Sequence, residues 1–93
     1  MAVKFFVHHE KDTVGVAVAD IKAGETVTGW VMDNDNEVTV TALNDIPLGH
    51  KIALCDIAAG DTVIKYGESI GKSTQAIKKG EHVHIHNLKT ARW

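Results

Sequence analysis

The sequence predicts a small, mostly β domain of short strands and turns, and three observations carry that reading. A turn pattern of the form acidic–Ile–x–x–Gly–x–x–Val/Ile occurs four times along 93 residues. Short runs rich in β-branched residues separate the copies, with polar and apolar positions alternating as a half-buried strand requires. No apolar stripe at helical spacing extends beyond two turns.

The turn copies are Asp20–Val27, Asp45–Ile52, Asp56–Val63 and Ala76–Val83, the last with alanine in place of the acid. In each, the acid can hydrogen-bond backbone amides, the isoleucine can anchor the turn in a core, and the glycine supplies a positive φ before a strand begins. Pro47, the only proline, suits the fixed φ of such a turn. The uneven separation of the copies argues against a solenoid. Strands are expected at Lys4 to Val7, Val14 to Val18, Thr26 to Met32, Glu37 to Leu43, Lys51 to Leu54, Thr62 to Tyr66 and His82 to Asn87. His8 to Asp12 reads as a polar turn, and Asp33-Asn34-Asp35-Asn36 as the turn of a hairpin. Ser69 to Ala76 has a strand-to-turn pattern. Gly15 and Ala17, set among valines, suggest close approach by another backbone. Composition does not shift along the chain and no linker appears, so residues 1–93 read as one domain.

A formal charge of −2, with 10 basic and 12 acidic residues interspersed, leaves no basic stripe for nucleic acid or an anionic membrane. Five aromatic residues offer little stacking surface for bases. The single cysteine, Cys55, has no intrachain partner, suits a reducing compartment and reads as a small buried hydrophobe. No signal peptide or apolar run of about 20 residues is present, so the expected location is the cytoplasm.

The chemistry concentrates in Gly80-Glu81-His82-Val83-His84-Ile85-His86-Asn87. On an extended strand His82, His84 and His86 share one face while Val83 and Ile85 share the other. Neutral imidazole is the commonest protein metal ligand and an acid or base near neutral pH. Same-face neighbours lie roughly 6.5–7 Å apart at the backbone, so two rings can converge on one ion and further ligands must come from elsewhere. A solvated polar face is the plainer alternative. His50-Lys51 at one strand start and Lys65-Tyr66 at the end of another add cations and a hydroxyl suited to a small anionic hydroxy acid or sulfonate. Each has a plain alternative too: His50 as a turn residue, the lysines solvated, Tyr66 packed at a rim and Asn87 capping a turn. His8 and His9 cannot share a strand face. No nucleophile elbow, phosphate loop, paired-cysteine motif or helix-borne HExxH is present.

The segments Asp45–Leu54, Val63–Gly67, Ile70-Gly71 and Gly80–Asn87 resemble the SAF domain at the amino terminus of the altronate and galactarate dehydratases. The resemblance runs from about Asp12 to Asn87, and its densest motifs read IPLGHKIAL and GEHVHIHN here. It implies a β-clip fold and a place beside a much larger domain that carries out metal-dependent elimination from a hydroxy acid. With the chain ending at Trp93, that larger part is expected on a separate polypeptide, in a hetero-oligomer. The insert Thr28 to Thr41 and the tail Lys89–Trp93 resemble the small subunits of the split, sulfolactate-cleaving branch.

The resemblance implies a lyase active only with its large subunit, using a divalent metal, expected as Fe²⁺. It assigns catalytic roles to His86 and Lys65, metal binding to His84 and His86, and substrate contacts to His50, Lys51, Tyr66, His82 and Asn87. Arg92 is a further candidate for an anionic group of the substrate. Cys55 departs from an arginine frequent in the family, and Thr13 from an asparagine. The alternatives are a sugar-acid dehydratase subunit, a non-enzymatic metal-binding β module, or a purely structural capping subunit.

Overall fold

A computed structural model describes residues 3–65, 67–84 and 86–90. These residues form strands β1 Val3–Val7, β2 Val14–Ala17, β3 Thr26–Val31, β4 Asn36–Thr41, β5 Lys51–Ala53, β6 Thr62–Lys65, β7 Glu68–Ser73, β8 His82–Val83 and β9 Leu88–Thr90. Among the described residues there is no helix, as the missing helical stripe predicts. A six-stranded sheet has the order β4-β3-β1-β2-β5-β8, and a three-stranded sheet the order β6-β7-β9. Every pairing is antiparallel except β1 with β3, a parallel contact that the local pattern did not foretell.

The repeated turn organises the chain, and it works in pairs. Ile21 and Ile46 exchange two backbone hydrogen bonds of 2.9 and 2.8 Å, and Ile57 and Ile77 do the same at 2.7 and 2.8 Å. All four isoleucines are buried. The acids cap across each pair: Asp20 accepts from the Leu48 amide, Asp45 from Ala23 and Asp56 from Lys79, all at 2.9 Å. Ala76, the odd residue among the copies, has no carboxylate to complete the fourth contact.

Each turn also clasps one small buried residue. Gly24 donates to the Ala42 carbonyl while the Ala42 amide donates back to Glu25. The same exchange joins Gly49 and His50 to Ala17, Gly60 and Asp61 to Ser73, and Gly80 and Glu81 to Ala53. The four glycines have φ between 85° and 90°, a region that side chains other than glycine's rarely adopt. At Gly80 a β-carbon would also collide with the Thr41 carbonyl oxygen, whereas Gly24 faces open space.

Two apolar clusters result, each holding one turn pair. Phe5, Val7, Ala17, Ile21, Val27, Val31, Val40, Ala42, Ile46 and Ile52 form the first; Val14, Ala53, Ile57, Val63, Ile77 and Val83 form the second. Phe5 explains two glycines, because its ring lies where β-carbons at Gly15 and Gly29 would sit. Gly15 thus admits an aromatic ring as well as the Phe6 carbonyl expected from a backbone approach. Thr13 links the two sheets: its hydroxyl accepts from the Ile64 amide at 2.9 Å and its carbonyl from Leu54 at 2.8 Å.

Two expectations need correction. The hairpin turn is Met32–Asp35, one residue earlier than predicted, since Val31 pairs with Asn36 and Asp35 takes φ 57°. Cys55 is exposed, because it lies in the bend between β5 and the third turn rather than on an inward strand position.

Gly80→Ala is expected to destabilise by about 3 kcal/mol or more through backbone strain and a clash, and Gly24→Ala by about 1 kcal/mol from φ alone. Paired urea titrations check this, and equal losses would contradict the clasp geometry.

Candidate functional site

The histidine motif is not one strand. β8 ends at Val83, and beyond it the Asn87 amide donates to the His84 carbonyl at 3.1 Å, a turn-type contact. Asn87 explains the break. It is fully buried, its Oδ1 accepts from the His84 amide at 2.9 Å, and its Nδ2 donates to the His82 carbonyl at 2.8 Å and toward Glu81 at 3.4 Å. This Asx-type turn satisfies the backbone that a longer strand would have paired. Asn87 shapes the turn that presents the histidines, the capping role that is the plain alternative for it. Val83 points into the second core as predicted, and Ile85 lies outside the described residues.

The rings still gather, and His50 joins them. β5 and β8 pair with Lys51 opposite Val83 and Ile52 opposite His82. One further step in that register sets His50 across from His84, and their rings stack with centroids 4.2 Å apart. His50 Nδ1 lies 2.9 Å from His82 Nε2. The His82 ring is 5.6 Å from that of His84 and 5.3 Å from that of His86. One ligand nitrogen from each of His50, His82 and His84 falls within 4.8 Å of the others. Two rings of the row thus converge with a third from elsewhere, as strand spacing required. Among the described residues, the group whose nitrogens could share one ion is His50, His82 and His84; His86, expected beside His84, is exposed and stands against His82.

The donor set fits a divalent transition metal. Imidazole nitrogens about 2.0–2.1 Å from a zinc-like ion lie roughly 3 Å from each other, close to the spacing already present between His50 and His82. Three imidazole nitrogens leave further coordination positions open on such an ion. The electrostatics agree. Burial first, then the neighbouring imidazoles and Lys51, push His82 below its ordinary pKa. His84 is pushed down too, by desolvation and by His50, Lys51 and His86. Both rings therefore keep their lone pairs at neutral pH.

Lys51 is half-buried beside these rings, and burial followed by the charge of Lys65 lowers its pKa. Lys51 thus neighbours both the imidazoles and Lys65, and this concentration of positive charge favours a small anion. Tyr66 and Arg92 lie outside the described residues. His8 and His9 sit elsewhere; the ring of His9 packs against Gly67 and approaches Asp33 at 3.8 Å. Asn44 was missed from sequence. Its Oδ1 accepts from the His82 amide at 3.0 Å and so holds the outer edge of β8, across 38 residues that no local pattern connects.

Residues 3–91 match the altronate/galactarate dehydratase SAF domain. The chain belongs to that family. It is 49% identical, over the full length of both chains, to a (2R)-sulfolactate sulfo-lyase subunit alpha of Chromohalobacter salexigens. A protein of the same name from Paracoccus pantotrophus is 52% identical over 63 residues, 68% of this chain and 94% of the relative. Altronate dehydratase of Escherichia coli is 48% identical over 82 residues, 88% of this chain but 15% of that enzyme. The SAF domain is thus found both as a small chain named as a subunit and as a minor part of a much longer enzyme.

Two outcomes follow from the site. Because the folded-state pKa values of His82 and His84 are depressed, the unfolded chain takes up protons first as pH falls. Their contribution to stability is complete above the ordinary value of about 6.5 and is lost as pH drops from there toward the folded values. Melting temperature should therefore fall between pH 7.5 and 5.5, with a shallower slope in His82→Gln/His84→Gln; identical slopes would refute the shift. Asn87→Ala should cost about 2–4 kcal/mol by leaving buried backbone groups unpaired, measured by chemical denaturation.

Proposed function

We propose that this chain is the small subunit of a metal-dependent carbon–sulfur lyase that converts (2R)-3-sulfolactate to pyruvate and sulfite. A separate large subunit would complete its active site. The observation that carries the proposal is full-length identity of 49% to a sulfo-lyase alpha subunit, combined with an imidazole cluster beside Lys51. The name "subunit alpha" implies a companion for that relative, and the half-buried, three-ligand character of the cluster suits a site closed by a second chain.

His50, His82 and His84 would hold the metal, proposed as Fe²⁺. When bound, it supplies Lewis acidity toward the substrate's carboxylate and hydroxyl, which acidifies the hydrogen on C2. Lys51 and Lys65 bind the sulfonate or carboxylate as point charges. In the elimination a base takes the C2 proton, the C2–H electrons form the C2=C3 bond, and the C3–S bond breaks with its pair leaving on sulfite. The resulting enol gains a proton at C3 and gives up its hydroxyl proton as the C2=O bond forms, which yields pyruvate. His86, exposed beside His82, would carry protons to and from the site. Tyr66 and Arg92 remain substrate-binding candidates on the basis of the family resemblance.

The second reading is a subunit of a sugar-acid dehydratase, favoured by 48% identity to part of altronate dehydratase. The product separates the two. The purified complex with its large subunit is expected to release sulfite from (2R)-3-sulfolactate, to stop with chelator, and to lose about 100-fold or more in kcat in His50→Ala or His84→Ala. A 2-keto sugar acid from altronate without sulfite from sulfolactate would replace the first reading by the second. Tight metal binding by the chain with no large partner and no turnover would support a binding module instead.

A further inference from the structure

The four turns are near copies, and the second copy, which lies at the site, departs from the others in its cap. In every copy the residue after glycine donates its amide to the carbonyl three residues earlier: Glu25 to Lys22, His50 to Pro47, Asp61 to Ala58 and Glu81 to Lys78, at 2.9–3.0 Å. In three copies that residue is also an acid whose carboxylate turns back to accept the amide of the same earlier residue. Glu25 accepts from Lys22 at 3.1 Å, Asp61 from Ala58 at 3.3 Å and Glu81 from Lys78 at 3.0 Å. Only in the second copy is the acid replaced, by His50, and only there is the earlier residue a proline, which has no amide hydrogen to donate.

The two departures are chemically linked. Histidine Nδ1 stands two bonds beyond Cβ, as an aspartate Oδ does, so it can reach the same amide that Asp61 reaches. A donor at position 47 would therefore compete for the very nitrogen that lies 2.9 Å from His82. We infer that Pro47 is a positioning residue of the imidazole site: by removing the competing N–H it releases His50 from capping its own turn and lets the ring join His82 and His84. This rests on the reading of His50 as a ligand. It goes further by making the site a turn whose cap was exchanged for a ligand, with proline as the other half of the exchange.

Two arms test this on the full chain. In the first, Co²⁺ is titrated spectroscopically into the wild type, His50→Ala and Pro47→Ala. Pro47→Ala should bind about fivefold or more weaker, the scale of one competing hydrogen bond, with a melting temperature near that of the wild type. Loss of melting temperature at unchanged Co²⁺ affinity would make Pro47 a purely structural residue and overturn the inference. A wild type that binds no more Co²⁺ than His50→Ala would overturn the ligand reading and the positioning role with it. The second arm needs no metal and moves the exchange to the first turn. Glu25→Ala should lower the melting temperature by leaving the Lys22 amide without a side-chain acceptor, and Glu25→His should recover most of that loss because its Nδ1 reaches the same amide. A Glu25→His variant as unstable as Glu25→Ala would refute the competition between ring and amide.

Discussion

Ile21 and Ile46 exchange backbone hydrogen bonds across one pair of turns, as Ile57 and Ile77 do across the other, and the remaining architecture depends on these reciprocal contacts. In strands of two to six residues the ladders alone hold little, and β8 contributes only two paired residues. The turns compensate by burying an isoleucine, clasping a small residue with two hydrogen bonds and, in three copies, capping the opposite turn with an aspartate. Buried alanine at positions 17, 42 and 53 and serine at 73 follow from the clasp, because a larger side chain would hold the turn backbone away.

The site lies where the two units meet. β5 leaves the second turn, whose isoleucine belongs to the first core, and β8 leaves the fourth turn, whose isoleucine belongs to the second. Their short antiparallel contact brings His50 to His82 and His84. Burial there suppresses protonation of His82 and His84, and the neighbouring imidazoles and the Lys51 charge act in the same direction. Glu81, the acid nearest in sequence, is occupied by the Lys78 amide and by Asn87.

Much of the strand pattern could be read locally. Alternating β-branched residues located the strands to within a residue or two at most ends, and the repeated Asp–Ile–x–x–Gly pattern identified all four turns and their buried isoleucines. The failures have physical reasons. A period of two cannot distinguish a strand from an Asx turn that begins two residues in, so the run from His82 to Asn87 looked continuous until the buried Asn87 amide interrupted it. Cys55 looked like a core residue by type, although its bend places it outside. The parallel β1–β3 contact arises from how the elements pack, and nothing in either strand's own residues specifies it.

By itself the sequence determined the β class, the turn idiom, the family and the identity of the residues rich in chemistry, because each of these is written in short-range order. Which nitrogens share a point in space was decided only by the tertiary fold. His50 and His82 are 32 residues apart, and their 2.9 Å approach depends on the register of two short strands and on an Asn44 contact from a third segment. No local periodicity encodes such a meeting, since it is the packing of two separately built cores that brings the rings together.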